Sequence, residues 1–509
     1  MPISPRAGAP APAAPSGPFG LAALARASGA DALRAACGSL ARRGGPVLAT
    51  LTLVAACAQP APPVATPGTI APARAPAPGE GKLVVLGLDG LEWTLLERLA
   101  AEGRLPHFAA LLREGARAEV TVTQPIMSPI LWTGIASGYP ADVHGVGGWT
   151  NARGRPYTGA DVRVERIWDA LSARGEASVV SGWLMTWPAT PIPGAMLSER
   201  FVWSYPMNKD PDEPVLDSRE TWATTAPDAL APLAETLRPD DAWIDAHPLA
   251  YQVHAYGAPY HPLPRDETHV RVFEALWPSA HARFGAVYVN GADQVSHLYW
   301  PFVEDLVRDQ LRADPLARVR ALAARPPMQQ GPAPYDGPMD AVTIAEAARW
   351  VPDYYAYMDE VLGRVTALLD DDTTLVVCSD HGFRASGAQP LVNGGHRDIA
   401  VLLARGRAVR AGARAQAHVH DLAPTFYALL GVPAAADMPG RALTDLFDVA
   451  PRAPVPTRAL SRVAVEVDAA GGDLADRQLR DQLEALGYID AEGRPRTDVG
   501  ASRQERPPP

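Results

Sequence analysis

The sequence predicts an α/β fold built on a mainly parallel sheet, and two observations support this prediction. Short apolar runs such as KLVVLGL and TTLVVC alternate with segments of helical spacing, and each run is followed by polar residues. Strands that are apolar on both faces and separated by helices are typical of parallel sheets covered by helices. Ligands of such sheets gather beyond the carboxyl ends of the strands, so the polar residues after each run form the candidate site.

The composition is that of a globular protein, because 47% of the 509 residues are hydrophobic and 20% are charged. This length suffices for one large core with insertions or for two domains. The formal net charge of −11 provides no basic surface for nucleic acid. An anionic substrate therefore has to be held by another device, and metal ions are one such device.

Residues 1–57 are predicted to be a lipoprotein export signal. A pair of arginines precedes an apolar run over residues 47–56, which is too short to span a bilayer. The sequence VAAC that ends at Cys57 resembles a lipobox, with Cys57 as the lipidated first residue of the mature chain. An ordinary signal peptide or a disordered alanine-rich tail is the alternative. Residues 58–81 are rich in proline and alanine and are predicted to form an extended tether.

The cysteine count agrees with export by lipidation. If Cys37 leaves with the signal and Cys57 carries lipid, Cys378 remains alone and no intramolecular disulfide can form. Cys378 lies in an apolar strand and is predicted to be a small core residue. Ala58 is not the aspartate expected for retention in the inner membrane, so we expect a lipid anchor on the periplasmic side of the outer membrane.

The catalytic domain is predicted to span residues 82–450. KLVVLGLDG is a strand that ends at Asp89, LEWTLLERLAAEG is a helix, and ASVVSGW, FGAVYVNGAD and TTLVVCSDHG repeat the strand pattern. Residues from about 201 to 281 interrupt this rhythm and are predicted to form an inserted cap, whose histidines 254, 261 and 269 are expected in an exposed loop. Residues 451–509 are predicted to contain an amphipathic helix and a disordered tail.

Several residues of metal-ligand type lie after predicted strands or in a glycine-rich turn. Asp293 and His297 have the i, i+4 spacing that places two side chains on one helical face. Any one of these residues alone is more often a cap or turn residue, but together they suit zinc or a similar divalent ion. The candidate ligands are Asp89, Asp293, His297, Asp380, His381 and His396.

Ser128 is the candidate nucleophile. It precedes Pro129 and an apolar helix that is expected to start at about Ile130, so Ser128 is predicted to be the N-cap, where the helix favours negative charge. A serine beside two divalent ions can also act as an alkoxide nucleophile, because coordination to a metal stabilises the deprotonated hydroxyl.

The motifs LGLDG, SPILWTGIASGYPADVHGV, VNGADQVSHLYW, VVCSDHGF and NGGHRDIAVLL occur in this order. The set resembles the type I phosphodiesterase and nucleotide pyrophosphatase group of the alkaline phosphatase superfamily, over residues from about 82 to 447. The resemblance implies a three-layer α/β/α sandwich with a mainly parallel central sheet and an inserted cap. It also implies two metal ions, expected to be zinc. One would be held by Asp293, His297 and His396, and the other by Asp89, Ser128, Asp380 and His381.

The mechanism implied by the resemblance is hydrolysis of a phosphate ester through a phosphoseryl intermediate on Ser128. In nucleotide pyrophosphatases an asparagine three positions after the nucleophile supports the nonbridging phosphate oxygens, but Leu131 occupies that position here. The oxyanion contact must therefore come from the backbone near Ser128 or from elsewhere. A sulfatase is disfavoured, because SPILW supplies neither the proline spacing nor the arginine of the sulfatase motif.

Two other function classes stay open. The first is a transferase of the same superfamily, which would pass a phosphoryl or phosphoethanolamine group from Ser128 to lipid or glycan. The second is a noncatalytic metal-binding lipoprotein, which is disfavoured because no ligand or nucleophile position is missing.

Overall fold

The computed structural model describes residues 81–201, 224–256, 261–325, 335–387 and 389–456, together with residues 480, 493 and 494. The predicted export signal, the tether and most of the predicted C-terminal helix and tail lie outside these residues. None of the helices in the described segments combines the length and apolar character needed to cross a membrane.

A sheet of nine strands forms the centre of the protein, in the order β11-β2-β10-β7-β1-β6-β3-β4-β5. The neighbours of β1 are parallel to it, whereas β10 runs antiparallel to β2 and β7, and β5 runs antiparallel to β4. The remaining two strands, β8 and β9, form a separate antiparallel hairpin. The strands are β1 Lys82–Leu88, β2 Ala116–Thr121, β3 Ser178–Ser181, β4 Gly194–Leu197, β5 Thr225–Ala226, β6 Phe284–Val289, β7 Thr373–Cys378, β8 Gly382–Ala385, β9 Gly394–Arg397, β10 Ile399–Arg405 and β11 Arg414–His418.

Helices cover both faces of the sheet. In the described segments they are α1 Trp93–Ala101, α2 Pro106–Glu114, α3 Ser128–Ser137, α4 Ala141–His144, α5 Ile167–Ser172, α6 Ala231–Thr236, α7 Asp241–Ala246, α8 Ala250–Tyr256, α9 Leu263–Leu276, α10 Gly291–Tyr299, α11 Asp305–Ala313, α12 Ala317–Ala323, α13 Ala341–Ala347, α14 Trp350–Ala367 and α15 Leu422–Leu429. Short 3-10 turns occur at residues 159–161, 228–230, 300–302 and 419–421.

The alternation of side chains along β1 produces two hydrophobic cores. Val84 and Leu86 pack with α1, α2, α9 and α14 on one face, whereas Leu83 and Val85 pack with α3, α5 and α15 on the other face. Successive residues of a strand point to opposite faces, so a strand that is apolar throughout belongs in the middle of three layers. The predicted α/β sandwich with a mainly parallel sheet is confirmed, as are the strands predicted before Asp89 and Asp380.

Two smaller expectations have different outcomes. Cys378 is a buried free cysteine of β7, as predicted. The expectation that the cap histidines are exposed is correct for His254, which pairs with Asp245 at the surface, but wrong for His261 and His269. Those two rings are buried at and within α9, because this helix packs directly against β3 and β6.

Candidate active site

The predicted site residues converge at one edge of the sheet because three parallel strands end there together. Leu88 of β1 is in register with Val289 of β6, and Gly87 is in register with Cys378 of β7. Asp89 follows β1, Asp380 and His381 follow β7, and α10 begins directly after β6. The β8–β9 hairpin then brings His396 to the same place, paired with Phe383 across the hairpin.

The turn after β1 depends on glycine. Gly90 has a φ of 70°, and a Cβ atom there would lie 2.7 Å from the Phe383 ring and 3.2 Å from the Asp293 Cα. The Gly90 N–H points to Asp380 Oδ1 at 3.4 Å. The DG pair after the first strand therefore allows two ligand-bearing segments to approach the end of β1 closely.

Ser128 is the first residue of α3, not its N-cap as predicted. Met127 is the N-cap, and its carbonyl accepts hydrogen bonds from the N–H groups of Ile130 and Leu131 at 3.0 and 3.1 Å. The Ser128 hydroxyl is therefore not used for capping, and its Oγ lies 3.5 Å from Asp89 Oδ1. Ser128 is buried, so this hydroxyl faces the site rather than bulk water.

The first turn of α3 limits the number of backbone N–H groups near Ser128 that could donate to a phosphate oxygen. Pro129 has no N–H, and the N–H groups of Ile130 and Leu131 already donate to Met127, which leaves the Ser128 N–H as the backbone donor of this turn. The Leu131 side chain packs in the core with α15 and does not replace the asparagine of the family pattern.

A first group of candidate ligands surrounds Asp293. Its Oδ1 lies 3.3 Å from His297 Nε2, 3.4 Å from His396 Nε2 and 3.7 Å from His381 Nε2. The Nε2 atoms of His297 and His396 are 3.0 Å apart. Three imidazoles thus point their Nε2 atoms at one carboxylate oxygen.

A second group surrounds Asp89. The Nε2 atom of His381 lies 3.4 Å from Asp89 Oδ1 and 3.4 Å from Asp380 Oδ2. By mutual distance the donor atoms form two sets, Asp293 with His381 and His396, and Asp89 with Asp380 and His381. His381 therefore lies between the two sets, although the family resemblance assigned it to the second alone.

The donor set fits metal ions. The Nδ1 atoms of His381 and His396 lie 3.1 and 3.0 Å from the carbonyls of Gly382 and Ile126, so each Nδ1 carries the proton and each Nε2 presents a lone pair. Asp380 Oδ2 and His381 Nε2 are buried and lie 3.4 Å apart, but His381 Nε2 carries no proton to donate, and neither atom makes a hydrogen bond in the described part of the chain. Buried atoms of this kind are costly unless a ligand satisfies them, and imidazole with carboxylate is the donor chemistry that zinc prefers.

Burial sets the charge of the carboxyl groups. It raises the pKa of Asp89 to about 7, with a further contribution from the charge of Asp293, and it raises the pKa of Asp380 well above its usual value, assisted by Asp89. Burial opposes ionisation of Asp293 as well, but the nearby His297 and His396 hold its pKa well below the usual range. Three carboxylates at this spacing need positive charge, and divalent ions can take the place of the protons.

Sequence reasoning missed three aromatic residues of the site. Phe383 packs against the rings of His297, His381 and His396, with centroids 5.2, 5.6 and 5.4 Å away. The Trp132 Nε1 and the Tyr288 hydroxyl both donate to Asp89 Oδ2. Trp132 could have been predicted, because it lies one helical turn after Ser128. The contact of Tyr288 with Asp89 could not be predicted without knowing the register of β6 against β1.

The family model described as type I phosphodiesterase / nucleotide pyrophosphatase matches residues 83–420. No curated protein matches the chain. One similar solved structure is human ectonucleotide pyrophosphatase / phosphodiesterase 5, at 13% identity and a TM-score of 0.40, covering 72% of this chain and 100% of that one. Another is BT4656 in complex with its substrate D-glucosamine-2-N,6-O-disulfate, at 14% identity and a TM-score of 0.39, covering 74% and 82%.

Proposed function

The chain belongs to the type I phosphodiesterase / nucleotide pyrophosphatase family, and from this premise we propose that it hydrolyses phosphodiesters with Ser128 as the nucleophile. The observation that carries the proposal is the position of the Ser128 hydroxyl. It lies 3.5 Å from Asp89 Oδ1, and Asp89 Oδ1 lies 3.4 Å from His381 Nε2, the atom shared by both candidate ligand sets.

Asp293, His297 and His396 would hold one ion, and Asp89, Ser128, Asp380 and His381 would hold the other. When bound, two divalent ions stabilise the deprotonated hydroxyl and the charge that develops on the attacking and leaving oxygens. Zinc is the proposed ion because imidazole nitrogen and carboxylate oxygen are both donors that zinc accepts.

The reaction of the chain's own residues has two steps. In the first, Ser128 Oγ forms a bond to phosphorus, the bond from phosphorus to the leaving alcohol oxygen breaks, and that alcohol leaves with a proton. In the second, the oxygen of water forms a bond to phosphorus, the bond from phosphorus to Ser128 Oγ breaks, a proton from the water passes to Ser128 Oγ, and the monoester product leaves. The start of α3 supports the first step, because the N-terminus of a helix favours the negative charge of the phosphoryl group.

The charges favour a diester over a monoester. While the Ser128 hydroxyl is still protonated, three carboxylates and two divalent ions sum to one positive charge, which matches the single negative charge of a phosphodiester better than the two of a monoester. In the described part of the chain, the partners of Asp89, Ser128, Asp380 and His381 include no lysine or arginine that could offset a second negative charge. The metal ions, not basic side chains, would therefore balance the substrate.

The experiment is to compare Ser128→Ala with wild type on bis-p-nitrophenyl phosphate and on p-nitrophenyl phosphate. We expect Ser128→Ala to lower turnover of the diester by at least about 1,000-fold while the bound metal is largely retained, because the nucleophile is lost and the six Asp and His ligands remain. Wild type should prefer the diester. Acid quenching of wild type with a radiolabelled diester should leave label on Ser128.

Ser137→Ala is the matched control. Ser137 is a buried serine of the same helix whose hydroxyl donates to the Thr133 carbonyl at 2.7 Å, away from the candidate ligands. It should retain wild-type turnover. A Ser128→Ala variant within tenfold of wild type would refute the assignment of the nucleophile.

We also propose a location and an alternative acceptor. Lipidation at Cys57 would attach the protein to the outer membrane on its periplasmic side, and the test is mass spectrometry of the membrane fraction for acylated Cys57.

A lipid-anchored enzyme could pass the group on Ser128 to lipid or glycan instead of water. Label that moves from the substrate to a lipid acceptor, with little free product, would favour this transferase over the hydrolase.

A further inference from the structure

The two oxygens of the Asp89 carboxylate have different surroundings. Oδ1 faces the Ser128 hydroxyl at 3.5 Å and His381 Nε2 at 3.4 Å. Oδ2 faces away from them and accepts hydrogen bonds from Trp132 Nε1 at 3.0 Å and from the Tyr288 hydroxyl. We propose that Trp132 and Tyr288 are positioning residues that lock the Asp89 carboxylate, so that it offers Oδ1 alone to an ion and to the nucleophile.

The local sequence is built for this lock. Ser128 and Trp132 are four residues apart in α3 and therefore lie on the same helical face, so that one helix supplies both the nucleophile and one donor. Gly87 lies two residues before Asp89 on the same face of β1, and a Cβ atom there would lie 2.9 Å from the Trp132 ring. A side chain at residue 87 would displace the indole.

The second donor comes from the neighbouring strand. Tyr288 of β6 is in register with Gly87, and its hydroxyl donates to Asp89 Oδ2. Gly87, Asp89 and Tyr288 are all buried. The missing side chain of Gly87 thus makes room for the Trp132 indole, while Tyr288 reaches Asp89 from the adjacent strand.

The donors are themselves held by aromatic packing. Trp132 lies edge-on to Trp183 and to Tyr288, with ring centroids 5.0 and 5.1 Å away, and the Trp183 Nε1 donates to the Trp132 carbonyl at 3.3 Å. A carboxylate with two donors on one oxygen cannot rotate without breaking both hydrogen bonds. Partners that orient a metal ligand in this way commonly change metal affinity or activity by 10- to 100-fold when they are removed.

The test is the zinc affinity of Trp132→Phe and Tyr288→Phe, measured on the metal-free protein by competition with a chromophoric chelator. Each substitution keeps an aromatic ring and removes one donor. We expect each to weaken binding of one of two zinc ions by about 10- to 100-fold. In the assay of the diester, kcat should fall while KM changes little, because neither side chain is placed to touch the substrate.

Trp168→Phe is the matched control. Trp168 belongs to the same buried aromatic cluster, with its ring 6.2 Å from that of Trp183, and its Nε1 has no hydrogen-bond partner in the described part of the chain. This substitution makes the same change in volume without removing a hydrogen bond, and it should leave zinc affinity within twofold of wild type. If Trp132→Phe does not fold in a thermal melt, Tyr288→Phe still tests the lock.

The inference rests on the proposed role of Asp89 as a ligand, and Asp89→Asn separates the two. If Asp89→Asn binds two zinc ions as wild type does, Asp89 is not a ligand, and both the proposed site and the lock are refuted. If Asp89→Asn loses affinity while Trp132→Phe and Tyr288→Phe match Trp168→Phe, the ligand stands and the lock is refuted. Weaker zinc binding in Asp89→Asn, Trp132→Phe and Tyr288→Phe would support both the role of Asp89 as a ligand and the lock.

Discussion

The site has two halves that are built in different ways. We call Asp89, Asp380 and His381 the strand-end half, and Asp293, His297 and His396 the helix half. The strand-end residues are 0% exposed and follow central strands directly, whereas the helix-half residues are 2–6% exposed and lie on α10 and on the β8–β9 hairpin. The sheet holds the first half in place, and the second half needs support from elsewhere in the chain.

The support of the helix half comes from distant residues. Asn290, the N-cap of α10, makes no capping bond with its own side chain. Asp266 of α9 acts in its place, because Oδ2 accepts the Gly291 N–H at 2.8 Å and Oδ1 lies 3.3 Å from the Asn290 N–H. The Tyr354 hydroxyl donates to the same carboxylate at 2.7 Å.

The hairpin of His396 is supported in a similar way. The buried guanidinium of Arg318, on α12, donates to the carbonyls of Leu391 and Val392, which lead into β9. The helix half therefore depends on α9, α12 and α14, and the strand-end half depends on its own strands and on the Asp89 donors.

The difference between the strand-end half and the helix half is tested most directly by the variants Asp380→Asn and His297→Asn. Asp380 Oδ2 is buried without a hydrogen-bond partner in the described segments, so loss of its charge should remove an ion and lower kcat/KM by at least about 1,000-fold. His297→Asn should cost less than Asp380→Asn, because His381 and His396 also lie near Asp293.

The measurement is kcat/KM on the diester together with the number of zinc ions retained after gel filtration. Equal losses in the two variants would contradict the view that the halves differ. A larger loss of kcat/KM in His297→Asn than in Asp380→Asn would show that the helix half contributes more than the strand-end half.

The sequence predicted the strand-end half more completely than the helix half. An apolar run followed by Asp or Asp-His is a local pattern, and the parallel fold then places its end at the site, so Asp89, Asp380 and His381 could be located from the chain alone. The i, i+4 pair of Asp293 and His297 was also local. The resemblance to a family was needed to join His396 to them.

What the sequence could not reveal are the contacts between residues far apart in the chain. The spacing of Asp266 from Asn290 carries no periodic signal, and the cap histidines were expected at the surface because their segment interrupts the alternation of strands and helices. The N-cap of α3 was misplaced by one residue, since a serine before a proline satisfies the rules for an N-cap as well as those for a first helical residue. Tertiary packing decides such cases.

A smaller effect is expected from Asp266→Asn, which tests the support of the helix half. One oxygen that accepts hydrogen bonds becomes an NH2 group, so at least one buried donor loses its partner, at a cost of about 1–3 kcal/mol in the free energy of unfolding. The start of α10 should shift, and zinc binding to the helix half should weaken about tenfold. Thermal melts and the chelator competition measure the two effects.

Asp340→Asn is the control for that variant. Asp340 caps α13, a helix that carries no site residue, by accepting the Thr343 N–H at 2.7 Å at an exposed position. It should leave zinc affinity unchanged. If Asp266→Asn also leaves zinc affinity unchanged while it lowers stability, Asp266 supports the fold but not the helix half.

The smallest effect concerns His269, which connects α9 to the strand-end half. Its Nδ1 donates to the Tyr288 carbonyl at 3.2 Å, and burial lowers the pKa of His269 to about 3 from 6.5. The unfolded chain therefore binds a proton between pH 6.5 and 3 that the folded protein does not bind. The stabilisation is present above pH 6.5 and is lost as the pH falls, by about 2 kcal/mol at pH 5.

His269→Asn keeps a donor near the Tyr288 carbonyl and removes the titrating ring. We expect it to be less stable than wild type at pH 8, because the smaller side chain leaves a cavity, but to lose about 2 kcal/mol less between pH 8 and pH 5. Urea unfolding at the two pH values measures the difference, and His254→Asn, which changes an exposed histidine, should leave it unaltered. If His269→Asn keeps the full pH dependence of wild type, proton uptake on unfolding must occur at other buried groups, and α9 would serve the strand-end half through packing alone.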